Sequence, residues 1–348
     1  MTDMAKKKAE EKNINYAAEV KRLKEKGPER LYLLWGEERY LLESFLKELR
    51  QICISQNEAS FNHHLLKGQD LDELKLKNAV DALPFFGERT FVEVREIDIN
   101  SVSDQEQLIR VLSDIPDYCT VAFVLDSEVS PKGSSKFAKF LLTSGIHLYF
   151  SNQSQDQLVR WIARRFAFYN KGIELEAAQK LIFISGDLMN ALIPEIEKIA
   201  SYAKGEKVTT ADVLAVATHI PEADVFELTG ARAARNFNEA AAVLAELLNA
   251  KDCNAILLLS LLSNQFRRIL IAYYASERHM DHRFVMDACS LRYDFLARQL
   301  IQTSRGFSES QLNHAIYKCA EADYRLKTQS IDEKELLKET VFAIAAEA

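Results

Sequence analysis

Gly36 closes the apolar run Leu31-Tyr32-Leu33-Leu34-Trp35 and opens a helical pattern. That is where a phosphate loop sits, because backbone N–H groups at a helix N-terminus cradle phosphates. The pattern G-x-x-x-x-G-K-[ST] begun at Gly36 needs Gly at 41, Lys at 42 and Ser or Thr at 43; the chain has Leu41, Leu42 and Glu43. Backbone freedom, cation and magnesium-binding hydroxyl are lost together, which argues against ATP hydrolysis here. Gly133-Ser134-Ser135-Lys136 offers glycine and lysine, but Glu128 stands in the upstream glycine's place and the order is wrong. Asp126, after the apolar residues 121–125, resembles the end of a Walker B strand, yet Ser127 replaces the adjacent acid that would orient water. A buried strand running into an Asp-Ser turn accounts for it.

Other catalytic constellations are missing as well. The sequence has no G-x-S-x-G elbow and no H-E-x-x-H. His63 and His64 are adjacent, so on a strand they face opposite ways and cannot share a metal. His279 and His282 have helical spacing with Cys289 nearby, but a zinc site needs a fourth ligand that the sequence does not place. No catalytic residue, cofactor site or metal site is therefore expected. The five cysteines, Cys53, Cys119, Cys253, Cys289 and Cys319, form neither a C-x-x-C pair nor a disulfide framework, so a reduced, cytoplasmic protein is expected.

At 348 residues and 48% hydrophobic the chain can bury two or three cores, and only 11 Gly and 6 Pro point to a helix-dominated protein. The net charge of -7 argues against a generally basic surface wrapped on duplex DNA. The first residues are charged, unlike a secretory signal, and the longest apolar run, over 255–262, is shorter than a membrane span.

Residues 1–29 read as a charged tail, with a short helix from Ile14 that ends at Gly27-Pro28. Residues 30–151 alternate strands (31–35, 61–66, 90–94, 120–125, 146–150) with helices (37–55, 71–82, 103–112, 132–142), which implies βαβ crossovers and a mainly parallel sheet. Residues 152–219 read as a small all-helical domain, and His219-Ile220-Pro221 marks a boundary. Helical patterns fill 220–348. The expected fold class is thus α/β plus all-α.

Between the second helix and the third strand lies Leu83-Pro84-Phe85-Phe86-Gly87-Glu88-Arg89. In an ordinary α/β protein Phe85 and Phe86 would cap the core of the sheet. The chain, however, resembles the delta subunits of DNA polymerase III, in this segment, in Leu31 to Glu38, in Phe226-Glu227-Leu228, in Gln265-Phe266-Arg267 and in residues 323–327. The resemblance covers residues 30–346. It implies an AAA+-like first domain without a phosphate loop, a small helical lid domain and a helical collar domain for oligomerisation. It also implies that Leu83, Phe85 and Phe86 form a clamp-binding hook, with 81–86 lying where clamp-binding peptides place Gln first and hydrophobics last. Asp81 replaces that glutamine, so affinity must come mainly from the aromatics.

By the same resemblance the chain would bind and open the beta sliding clamp during DNA replication without hydrolysing ATP, as a non-catalytic subunit of the polymerase holoenzyme. Its partners would be the clamp, the tau/gamma ATPase subunits, delta-prime and primer-template DNA, with no membrane. The alternatives are a divergent AAA+ ATPase and a delta-prime-like subunit; the latter usually has a cysteine-rich zinc module and a Ser-Arg-Cys finger, neither of which is here. Arg160, Arg164, Arg165, Arg267 and Arg268 could meet phosphates but read as helix surface or subunit contacts.

Overall fold

The structure is a computed structural model that describes residues 16–55, 59–126, 135–249 and 254–346. By its internal contacts the chain divides into two compact units, 1–153 with 188–190, and 154–187 with 191–348.

In the first unit, helix α1 (Tyr16–Lys26) precedes β1 (Leu31–Gly36), α2 (Arg39–Cys53), the single turn α3 (Ala59–Asn62) and β2 (His63–Lys67). Then come α4 (Glu73–Val80), β3 (Thr90–Arg95), α5 (Gln105–Ser113), β4 (Cys119–Val124), α6 (Lys136–Ser144) and β5 (Ile146–Phe150). The five strands form one parallel sheet in the order β2-β3-β4-β1-β5. The central strands β1 and β4 are buried at every residue, which is why they read as unbroken apolar runs rather than alternating ones.

One face of the sheet packs Leu33, Trp35, Val92, Val94, Val121 and Phe123 against the apolar sides of α4, α5 and α6, through residues such as Leu76, Leu108 and Phe137. On the other face Tyr32 meets Phe45 of α2, with ring centroids 6.2 Å apart, and Phe45 meets Phe150 at 5.8 Å. Strand β2 is an edge, and its expected range needs correction. Phe61 and Asn62 belong to the turn α3, and the extended stretch starts at His63.

The second unit begins with α7 (Gln155–Ala167), β6 (Gly172–Ile173), α8 (Leu175–Ser185), α9 (Met189–Tyr202, whose first two residues fall with the first unit), β7 (Lys207–Val208) and α10 (Thr210–Val216). The segment read as all-helical thus contains a short parallel pair, β6 with β7. Two-residue strands are too short to show a period of two, and these include Gly172 and follow closely on Gly205, which read as loop.

Helices α11 (Pro221–Ala233), α12 (Phe237–Asn249), α13 (Ala255–Glu277), α14 (His282–Ala288), α15 (Asp294–Ser304), α16 (Glu309–Thr328) and α17 (Glu333–Ala346) follow. Pro221 takes the first helical position of α11, where its missing N–H costs nothing. At 23 residues α13 is long and apolar enough by composition to cross a bilayer. It instead packs Leu258, Leu259, Leu262, Phe266, Ile269, Ala272 and Ala275 into the core of this unit. Buried Gln265, also on α13, donates to Thr229 Oγ1 of α11 at 3.3 Å, and that hydroxyl donates to the Phe226 carbonyl at 2.9 Å.

Candidate functional site

The loop from Asp81 to Arg89 is built from its ends inward. Asp72 caps the N-terminus of α4 by accepting from the Lys75 N–H at 2.7 Å, and Leu76, Ala79 and Val80 bury the helix's inner face. The helix stops at Val80, earlier than the apolar pattern suggested, and the Asp81 N–H closes it on the Lys77 carbonyl at 2.8 Å. Asp81 therefore serves as a helix cap. Tyr118 pins both ends of the loop: its hydroxyl donates to the Asp81 carbonyl at 3.3 Å, and its carbonyl accepts from the Thr90 N–H at 2.8 Å.

Asn62 holds the middle. Its Nδ2 donates to the Phe85 carbonyl at 3.0 Å and its Oδ1 accepts from the Phe85 N–H at 2.7 Å, so one fully buried amide satisfies both backbone groups of one residue. The loop keeps its apolar side chains outside. Leu83 is 77% exposed, Phe85 50% and Phe86 89%, which rules out the core-capping alternative for the two aromatics. Phe86 has φ +56°, the left-handed region that bulky residues rarely adopt. Its ring meets that of Phe85 edge-on at 4.4 Å. Phe61, 61% exposed, has its ring centroid 5.1 Å from that of Phe85.

Phe61 and Asn62 escaped the sequence reading. They lie more than twenty positions before Phe85, in a segment that passes for the start of a strand. An asparagine beside a large aromatic was the available signal, since Asn favours turns over strands.

The position of a phosphate loop is filled by other contacts. Only Glu37 and Glu38 separate Gly36 from α2, and the Glu38 carboxylate caps that helix by accepting from the Tyr40 N–H at 3.1 Å. Gly36 itself has φ +143°, and a Cβ there would stand 2.2 Å from the Phe150 carbonyl oxygen, so the glycine answers to close packing on β5. Leu41 and Leu42 are buried. Glu43 forms a two-pronged pair with Arg95, both contacts at 2.8 Å. Asp126 accepts from Arg39 at 3.1 Å and from the Glu96 N–H at 3.2 Å. A guanidinium thus already pairs with the carboxylate that resembled a magnesium ligand.

Arg95 also bonds Glu93, which takes a further contact from His63 Nε2 at 3.0 Å and has Arg50 at 3.6 Å. Burial pushes the Glu93 carboxyl up, but the bonds from His63 and Arg95 outweigh it and hold the group below its ordinary range. His64 projects to the opposite face, as adjacent strand residues must, and burial with its neighbour His63 pushes its imidazole down.

The remaining candidates do not converge. His282 pairs with Asp294 at 2.6 Å, while Cys289 points its thiol at the Arg268 carbonyl. Among the described residues His219, Asp224 and Glu227 bring three possible ligand atoms together, with Lys180 already 2.9 Å from Glu227. Arg160, Arg164, Arg267 and Arg268 are exposed, and Arg165 lies 5.8 Å over the Phe168 ring. Ser135 and Lys136 serve α6, the first as its cap, the second paired to Glu106 at 2.8 Å. Ser127, Glu128, Gly133, Ser134, Cys253 and the tail 1–15 lie outside the described residues.

Two family models match, "DNA polymerase III, delta subunit" over residues 32–145 and "DNA polymerase III delta subunit, C-terminal domain" over 222–344. The chain belongs to the DNA polymerase III delta subunit family. A relative is "DNA polymerase III subunit delta" of Bacillus subtilis, 26% identical over 88% of this chain and 90% of its own length. Another is the "Probable DNA polymerase III subunit delta" of Aquifex aeolicus, 23% identical over 89% of this chain and 90% of its own length. Among solved structures, the Bacillus subtilis DNA clamp loader delta protein superposes with a TM-score of 0.57 at 22% identity, over 94% of this chain and 99% of that one. The likeness shows a shared fold: a parallel five-stranded sheet with many helices and a helical C-terminal part.

Proposed function

We propose that this chain is the clamp-opening subunit of a DNA polymerase III clamp loader, cytoplasmic and without catalysis of its own. The observation that carries the reading is the loop tip. A chain that leaves Leu83, Phe85 and Phe86 in water while fixing their backbone through Asn62 and Tyr118 holds them ready for an apolar pocket on a partner. Membership of the delta family supports the beta sliding clamp as that partner.

The work follows from differential affinity. A protein that binds the opened or strained ring interface better than the closed one moves the ring toward opening by the ratio of the two affinities, with no bond-making of its own. Glu38, Glu43 and Arg39 support a pocket that neither binds nor hydrolyses ATP, since carboxylates stand where phosphates and magnesium would be held. The tau/gamma ATPase subunits, together with delta-prime, would then govern when the hook is exposed, and primer-template DNA would be met within the assembled loader.

Binding of the purified chain to the sliding clamp of its own organism, without nucleotide, tests the reading. Phe85→Ser with Phe86→Ser is expected to weaken it at least ~100-fold while circular dichroism stays unchanged, because truncated hot-spot residues each cost on the order of 2 kcal/mol or more. Absence of binding by the natural chain would overturn it.

A further inference from the structure

We infer that Phe61 is a third aromatic contact of the clamp-binding tip and that Asn62 is the positioning residue that presets the tip; this rests on the clamp reading above. Phe61 comes from a different segment of the chain, and its ring lies 5.1 Å from that of Phe85 while 61% exposed. A pocket wall that closes around Phe85 must displace the water over Phe61 as well, because one ring covers part of the other. The contact surface is therefore assembled from the turn α3 and the loop after α4.

Asn62 connects the two segments. It is fully buried, it spends both polar atoms of its amide on the backbone of Phe85, and the next residue, Phe86, sits at φ +56°. A free peptide would populate that backbone conformation sparsely for phenylalanine and would lose freedom on binding. With Asn62 in place the ordering is done at folding, and association with the ring costs less.

The test uses the full chain and its clamp, with five proteins: natural, Phe85→Ser with Phe86→Ser, Phe61→Ser, Phe61→Trp, and Asn62→Leu, which keeps the branched shape and removes both hydrogen bonds. Phe61→Ser is expected to weaken the clamp about tenfold, and Phe61→Trp to restore it. Asn62→Leu is expected to weaken it about tenfold and to speed amide hydrogen exchange over residues 82–88, with β2 and β3 still protected. A general loss of structure would speed exchange in the strands too.

If the natural chain binds, the double variant does not, and Phe61→Ser binds within twofold of natural, the extension to Phe61 fails while the clamp reading stands. If Asn62→Leu leaves both affinity and loop exchange unchanged, the positioning role fails. If the natural chain does not bind the clamp, or Phe61→Ser instead abolishes self-association of the chain, the occupant is wrong and both readings fall. Should Asn62→Leu not fold, Tyr118→Phe removes another fastening of the loop, and unchanged affinity and exchange there would equally overturn the preset tip.

Discussion

Glu93 is 2% exposed on β3 and has His63, Arg95 and Arg50 around it, with Glu43 completing the row through Arg95. Its carboxyl is held below the ordinary 4.5, so the stability it supplies is fully present above that value and is lost as pH falls through the lower folded value. Glu93→Gln is expected to cost about 3 kcal/mol at neutral pH, since it leaves cations facing an uncharged amide in a buried place. The cost should shrink in urea unfolding at a pH about one unit below 4.5. An equal gap between variant and natural chain at both pH values would refute the assignment. Residues of this kind show how far single positions can be read in advance. Leu41, Leu42 and Glu43 announced by type alone that no phosphate loop follows Gly36, whereas the pairing of Glu43 with Arg95, 52 positions away, depends on a strand order that no local pattern encodes. Asn62 was illegible for the same reason, as both of its amide atoms bond Phe85 on another segment.

At the scale of elements, periodicity gave most helices and strands, and caps decided their ends. The helix expected over 37–55 runs from Arg39 to Cys53 because the Glu38 side chain turns back on the Tyr40 N–H. The strand expected from residue 61 loses two residues to a helical turn, since apolar residues suit either state over so short a run. Helix α13 shows the converse: its apolarity announced burial, but the polar Gln265 on its inner side had no visible reason until Thr229 of α11 appeared opposite it. Thr229 keeps its bond to the Phe226 carbonyl without Gln265. Gln265→Leu should therefore cost about 1 kcal/mol or less, whereas Gln265→Glu, which puts a charge in that buried place, should cost several kcal/mol. Urea midpoints of the two variants measure the difference, and similar losses for both would show that the amide is not what joins α11 to α13.

For the molecule as a whole, the sequence pattern placed a strand-and-helix part over residues 30–151 before two helical parts over 152–219 and 220–348, whereas the contacts give two units that divide at 153. The short β6–β7 pair was beyond it, because pairing between distant dipeptides leaves no trace in composition. The same whole-chain view, a parallel sheet whose phosphate position is closed by its own carboxylates, predicts how the protein meets nucleotide. A ligand that binds only the folded state at 100 times its Kd stabilises it by about 2.7 kcal/mol. In a domain of this size that raises Tm by several degrees. Magnesium-ATP at millimolar concentration is expected to leave the melting curve where it was, because the Glu38 carboxylate stands at the helix N-terminus on the Tyr40 N–H and neither Leu41 nor Leu42 offers a contact to phosphate. A shift of several degrees that requires magnesium would mean that the first unit binds nucleotide after all, and the divergent-ATPase reading would then replace a passive opener driven by its partners.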